Sequence, residues 1–286
     1  MNNVIFQYMI TGDDCDSRGP INEIPNRSRS AVYREVADLS AHSFKKYANK
    51  LGATHHYSKK QVTTAGISGH TVLLFEVLRL VYDEMYDEFD NLLFADTDIV
   101  CNTEEDIFEM HVQSGKDVSG IMESSIHISR GMNGDKLEYP YASWDDADPQ
   151  YELICSKYKR LGYPVVPVEE EGVRPSRVHI MNTGVHVWTR EARLKARKLF
   201  DPWLDYMKDG EEHKDPFWLN NDQPYISAQL VKHGLSINHI NQTWNDSPPH
   251  YRQWEHWKDQ NFLHYTGGFG KKHFLADYDA GKFKYI

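Results

Sequence analysis

Asp96-Thr97-Asp98 is where the chain concentrates charge against apolar sequence. The two acids follow Asn91-Leu92-Leu93-Phe94-Ala95 and precede Ile99-Val100. They therefore read as the end of a short, fully buried strand. Carboxylates in such a segment are costly to bury without compensation. A divalent metal compensates two at once, and open α/β sheets place ligands at the carboxyl ends of parallel strands. The tripeptide by itself says little, because Asp-x-Asp recurs at Asp14/Asp16, Asp146/Asp148 and Asp277/Asp279. Only Asp96/Asp98 has an apolar strand directly before it; on spacing alone a solvated acidic turn fits as well.

The elements that must position this pair can be read on both sides of it. Val4-Ile5-Phe6-Gln7-Tyr8-Met9-Ile10 forms a first core strand, stopped by the turn-prone Thr11-Gly12-Asp13-Asp14. Thr11, Gly12 and Asp13 stand where a first strand opens into a loop, a common place to hold a nucleotide base. An ordinary strand-to-helix connection explains them equally. Val32, Val36, Leu39 and Tyr47 mark a helix from about Ser30 to Gly52, and a short strand follows at 54–57. Leu74, Leu78, Val81 and Met85 stripe a second helix, from about His70 to Asp87. A β-α-β-α-β order leading into Asp96 is the mark of a parallel, doubly wound sheet.

Beyond the acids, residues 117–122 read as a strand and 129–150 as a polar loop long enough to be functional. Residues 178–188 alternate like a strand but are interrupted by Asn182-Thr183-Gly184. Glycine inside a strand marks a bulge or the close approach of a ligand. Thr189 caps the helix beginning Arg190-Glu191, and Asn220-Asn221-Asp222-Gln223-Pro224 opens another. The C-terminal part holds a strand within 237–244 and the segment His264-Tyr265-Thr266-Gly267-Gly268-Phe269-Gly270-Lys271.

At 286 residues, with neither repeat nor linker, one compact domain spanning 1–286 is expected. A formal net charge of −10 argues against a nucleic-acid backbone as partner and suits a protein that recruits cations locally. Cys15, Cys101 and Cys155 are scattered and odd in number, which predicts a reducing compartment rather than a disulfide framework. No stretch reaches the apolar length of a membrane span, and the N-terminus lacks a signal-peptide pattern. A soluble, cytoplasmic protein is expected.

Together, the Asp-x-Asp after a buried strand, the Asn-Thr-Gly strand, the Asp-Gln helix start and the late His-x-x-Gly…Lys segment occur in an order that resembles the GT-A glycosyltransferases. The family-8 type is the most similar, with some likeness to small virus-encoded transferases. The resemblance runs from about Val4 to Lys272 through short motifs. It implies a GT-A type, Rossmann-like α/β fold with a mixed, mostly parallel central sheet flanked by helices. Residues 1–120 would form the nucleotide-sugar-binding half and 121–286 the acceptor-binding half.

By the same resemblance, Asp96, Asp98 and His264 would hold Mn²⁺ or Mg²⁺, an ion suited to carboxylates, imidazole and phosphate oxygens. Asp96 would also reach the ribose. Arg79, on the helix before the metal strand, and Asn182 would hold the donor sugar. Gly267 and Lys271 would serve the diphosphate, with Lys272 as an alternative to Lys271. Asp222 and Gln223 would line the reacting face.

The implied reaction is transfer from UDP-glucose, UDP-galactose or UDP-xylose to a hydroxyl of a glycan or glycoconjugate acceptor, with retention of anomeric configuration. Were configuration inverted instead, Asp222 or the Asp145, Asp146 and Asp148 cluster would have to supply a base. Two other readings remain open at this point. One is a phosphatase of the haloacid-dehalogenase type, with Asp96 on its nucleophile strand; the other is a sugar-binding module without turnover.

Overall fold

A computed structural model describes residues 1–12, 15–16, 24, 26–122, 149–165, 180–245 and 260–285. Strand β1 (Asn3–Tyr8) pairs in parallel with β2 (Thr54–Ser58) on one side and β3 (Asn91–Ala95) on the other. β3 then pairs antiparallel with β6 (Met181–Thr189), which pairs antiparallel with β5 (Val118–Met122). β5 in turn runs parallel to β7 (Ile237–His239). The six-stranded order is β2-β1-β3-β6-β5-β7, with β6 alone running against the rest. This is the mixed, mostly parallel sheet that was expected. A separate two-stranded sheet joins β4 (Ile99–Cys101) to β8 (Phe262–His264), antiparallel.

In chain order the helices are α1 (Arg29–Leu51), α2 (His70–Leu74), α3 (Arg79–Tyr82), α4 (Ile107–Ser114) and α5 (Pro149–Arg160). They continue with α6 (Arg190–Leu199), α7 (Trp203–His213), α8 (Asp222–Lys232) and α9 (Gly267–Asp279). Among the described residues, no helix is long and apolar enough to cross a membrane. None of the three cysteines forms a disulfide.

Successive residues of the central strands feed two different cores. Val4, Phe6, Leu92, Phe94 and Trp188 belong to one. Ile5, Leu93, Ala95, Val185 and Val187 belong to the other. The first is closed by Ala192 and Ala196 of α6, Trp203 and Tyr206 of α7, and Tyr225 of α8. The second is closed by Phe44 and Tyr47 of α1 and Phe108 of α4. A strand covered on both faces has no polar side, so β3 is apolar from Leu92 to Ala95 and every residue in it is buried. Each large side chain on it contributes about 1.5–3 kcal/mol by leaving water.

Local signals set the ends of the elements. The Ser28 side chain accepts the Ala31 N–H to start α1, and Gly52, at φ 65°, ends it. Thr189 accepts the Ala192 N–H, so β6 passes into α6 without a loop.

The helix expected over 70–87 is instead broken: α2, a 3₁₀ turn over Phe75–Leu78, α3, and a second 3₁₀ turn over Glu84–Tyr86. Buried Glu76 ties the first turn to the preceding loop, accepting the Val62 N–H at 2.7 Å, the Thr64 N–H at 3.0 Å and the Thr64 hydroxyl at 2.8 Å. Asp83 ends α3 in an extended conformation and takes the Met85 N–H with its own carboxylate. The strand expected at 178–188 is observed as β6; residues 178–179 lie outside the described residues.

Candidate functional site

Asp96 is the first residue past β3, where the apolar run stops. Its N–H still donates to the Gly184 carbonyl of β6 at 2.8 Å, and buried Gln7 donates to its carbonyl at 3.3 Å. The chain then turns, the Ile99 N–H reaching back to the Asp96 carbonyl, and continues as β4. Register between β4 and β8 sets Ile99 opposite His264, and the Tyr265 N–H donates to the Asp98 carbonyl at 2.9 Å. A histidine distant in sequence is thereby delivered to the two acids.

The geometry is tight. His264 Nε2 lies 3.2 Å from Asp98 Oδ1 and 3.7 Å from Asp96 Oδ2. One donor atom from each residue falls within 4.8 Å of the others. On the far side of the ring, His264 Nδ1 meets Asn245 Oδ1 at 2.7 Å. From the first turns of α9, Lys271 Nζ reaches Asp98 Oδ2 at 2.5 Å, 5.0 Å from the centre of the Tyr33 ring of α1. Lys272 is exposed, so Lys271 is the lysine that enters the site.

Charge in the cluster is unbalanced. Burial, then Asp98, then Asp222 outweigh the help of His264 and Lys271 and hold the Asp96 carboxyl well above the usual range. Burial also works against Asp98, but Lys271 and His264 together overcome it and keep Asp98 ionised. Burial pulls His264 down, yet the two acids lift it above its ordinary value. A divalent cation would relieve the Asp96–Asp98 repulsion directly. Two carboxylate oxygens and one imidazole nitrogen, with no thiolate among them, form a donor set that fits Mn²⁺ or Mg²⁺.

The acids open onto a cleft of about 240 Å³, also lined by Tyr8, Thr11, Gly12, Tyr33, Leu73 and Lys271. An adjoining hollow of about 230 Å³ shares Thr11 and Gly12 with the loop holding Gln61, Gly66 and Ser68. Thr11 and Gly12 thus stand at the site, while Asp13 lies outside the described residues.

Across β6, Asn182 Oδ1 accepts the Gly184 N–H at 2.8 Å and an Asn245 Nδ2 hydrogen at 2.7 Å. Asp222 is the first residue of α8, which Asn221 caps by accepting the Gln223 N–H. The Thr183 hydroxyl donates to Asp222 Oδ2 at 2.7 Å. Burial raises the Asp222 carboxyl to about 6, against the lowering effect of that bond and of the Asp222 and Gln223 amides. Gln223 follows half-buried in the same turn, and Gly267, at φ 66°, opens α9 one turn before Lys271.

Arg79 does not join the group. It does lie on the helix before β3, but its guanidinium is buried, donating to Asp83 Oδ2 at 2.8 Å and to Ser58 Oγ at 2.6 Å. It also lies 3.7 Å from Glu76 and stacks over Phe6 at 5.4 Å. A cation surrounded by two carboxylates and a ring face holds the turns before β3 together. Asp145, Asp146 and Asp148 lie outside the described residues, as does most of the 129–150 loop.

Three residues of the site escape sequence reasoning. Asn245 and Tyr33 carry no signal, since each is a common type in an ordinary segment. Thr183 sat inside the Asn-Thr-Gly interruption, and that interruption was the signal available for it.

The chain matches no family model, and no curated protein matches it by sequence. Solved structures are similar to it at low identity. One is a glycosyltransferase involved in glycosylating the major capsid of PBCV-1: 12% identity over 96% of this chain and 100% of that one, TM-score 0.48. Another is mouse xyloside xylosyltransferase 1, at 11% identity over 92% and 97%, TM-score 0.44. A third is the galactosyltransferase LgtC in complex with donor and acceptor sugar analogues, at 11% identity over 99% and 97%, TM-score 0.44.

Proposed function

We propose that the chain is a metal-dependent glycosyltransferase that moves a sugar from a nucleotide-diphosphate donor to a hydroxyl of a glycan acceptor. The donor would be of the UDP-glucose, UDP-galactose or UDP-xylose kind, and anomeric configuration would be retained. The observation that carries this reading is the convergence of Asp96, Asp98 and His264, with Lys271 beside them, at one cleft.

Bound Mn²⁺ or Mg²⁺ would supply Lewis-acid stabilisation of the departing diphosphate. The chain's own residues do the rest. Asp96, Asp98 and His264 would hold the ion, and Asp96 would also reach the ribose. Lys271, whose Nζ lies 2.5 Å from Asp98 Oδ2, would pair with a phosphate oxygen of the diphosphate. The start of α9 at Gly267 offers backbone N–H groups and a favourable dipole to the same anion. Thr11 and Gly12 line the cleft where the first strand ends, as a base-holding segment would. Asn182 orients the sugar. Asp222, with Gln223, offers negative charge to the positive character that develops on the sugar as the bond to diphosphate breaks.

The test is thermal denaturation with Mn²⁺ and a panel of nucleotides and nucleotide-sugars, repeated on Asp98→Ala. A ligand that binds the folded state alone stabilises by about 2.7 kcal/mol at a hundredfold excess over its dissociation constant. The expected result is a Mn²⁺-dependent rise in midpoint with UDP and with one UDP-sugar, absent in Asp98→Ala. Release of UDP from that donor then separates an enzyme from a module that only binds. No rise with any nucleotide would sink the reading.

A further inference from the structure

We propose that Asn245 is a positioning residue that joins the metal ligand His264 to the sugar-facing Asn182, so that the two subsites order each other. This rests on the transferase reading above.

The direction of every bond follows from one backbone group. The Gly184 N–H can only donate, and it points at Asn182 Oδ1 at 2.8 Å. Asn182 therefore presents its oxygen there, and the Asn245 group 2.7 Å from the same oxygen must be the amide NH₂. That leaves Asn245 Oδ1 turned to His264 Nδ1 at 2.7 Å, so Nδ1 carries a proton and donates it. The other ring nitrogen, Nε2, then faces Asp98 Oδ1 and Asp96 Oδ2, as a metal-binding nitrogen must. A main-chain amide of β6 thus sets a histidine tautomer three links away.

Asn245 is built to hold that position. It is 3% exposed, so loss of either bond leaves a buried polar group unsatisfied. Its own N–H is tied to the Gln242 carbonyl at 2.8 Å. The preceding Trp244 is buried with its ring 5.2 Å from Phe262 of β8, the strand that carries His264. Partners behind a metal-ligating histidine fix its ring and raise its basicity, commonly changing metal affinity by about 10–100-fold. In this chain the partner has a second hand, on Asn182, which couples metal binding to sugar binding in both directions.

The experiment titrates Mn²⁺ alone, without nucleotide, into the full chain by calorimetry. Wild type, Asn245→Ala, Asn182→Ala and the double variant are compared. Asn245→Ala should weaken Mn²⁺ by about tenfold or more. Asn182→Ala, which removes no metal ligand, should weaken it by about threefold in the wild-type background and have no effect on top of Asn245→Ala. Asn245→Asp keeps an acceptor opposite His264 Nδ1 but offers no donor to Asn182. It should hold Mn²⁺ within about threefold of wild type while abolishing the effect of Asn182→Ala. Unchanged affinity in Asn245→Ala, or losses that simply add in the double variant, overturns the link. Failure of the wild-type chain to take up Mn²⁺ instead overturns the transferase reading, and the link with it.

Discussion

Asp222 meets two opposed influences on its carboxylate. Burial holds it at about 6, and a hydroxyl from the neighbouring strand, Thr183, is aimed at one oxygen. Its ordinary value is 3.8, so the folded protein keeps a proton here that a solvated aspartate would release. If the ionised form serves the reaction, transfer rises with pH through about 6 and levels off above it. Thr183→Val removes a bond that favours the ionised form, so the acid limb should move upward, by about one unit. Asp222→Asn should lose about a hundredfold in rate and abolish the limb. A pH–rate profile of sugar transfer on the three proteins checks this. A limb displaced by Thr183→Val belongs to Asp222, whose Oδ2 accepts the Thr183 hydroxyl. Lys271 over Lys272 is a further matter that residue identity left open. The turn of α9 directs Lys271 toward Asp98 and leaves Lys272 in water.

Strand β6 is the element on which the site depends, through the interruption at Asn182-Thr183-Gly184. Its pairing with β5 steps from Gly120↔His186 to Ile121↔Asn182, so the strand bulges where it passes Asp96. Gly184 is there because of space. A Cβ on it would stand 2.6 Å from His264 Cε1, 2.9 Å from Asn182 Oδ1 and 3.1 Å from Asp96 Oδ2. Gly184→Ala must therefore displace the ligand set while most of the strand keeps its pairing. Mn²⁺ affinity should fall by at least about tenfold, with a melting midpoint lowered by only a few degrees. Titration of Mn²⁺ beside a thermal melt separates the two effects. The glycine was visible in the sequence as a sign of close approach. What approaches it was not, because His264 arrives through β4–β8 pairing, which no local pattern encodes.

For the whole molecule, a sheet covered on both faces buries histidines that must stay neutral. His186 accepts the Trp188 indole N–H at 2.7 Å and stacks on Phe94 at 5.1 Å. Burial drives it down to about 3 from an ordinary 6.5. His111, whose ring nitrogen meets Ser119 Oγ at 2.7 Å, is driven by burial to about 4. Below pH 6.5 the unfolded chain takes protons that these folded side chains refuse. Their share of the linkage has one sign and is lost as pH falls from about 6.5 toward about 4 and 3, whereas Asp96 and Asp222, whose carboxyls the fold holds high, act in the opposite sense over part of that window. Asp87, which the Arg197 hydrogen bonds hold below 3.8, adds its own loss only beneath that value. Urea midpoints of wild type and His186→Phe, compared from pH 7 down to pH 4, isolate the share of His186. Each referred to its own value at pH 7, the His186→Phe midpoint at pH 4 should lie above that of wild type.

Local order decided much of this protein in advance. The doubly covered strand ending in Asp96 and Asp98, the helix ended by Gly52, the Thr189 cap and the Asp222-Gln223 helix start all follow from neighbours a few residues apart. Burial patterns and caps are short-range physics, and a sequence displays them. The inversion of β6 and the Asn182–Asn245–His264 chain belong to tertiary structure alone, and the arrival of His264 beside Asp98 was implied by the family resemblance but by no local pattern. Each depends on which side chains a distant segment brings within about 3 Å, the range over which hydrogen bonds and ligand fields act.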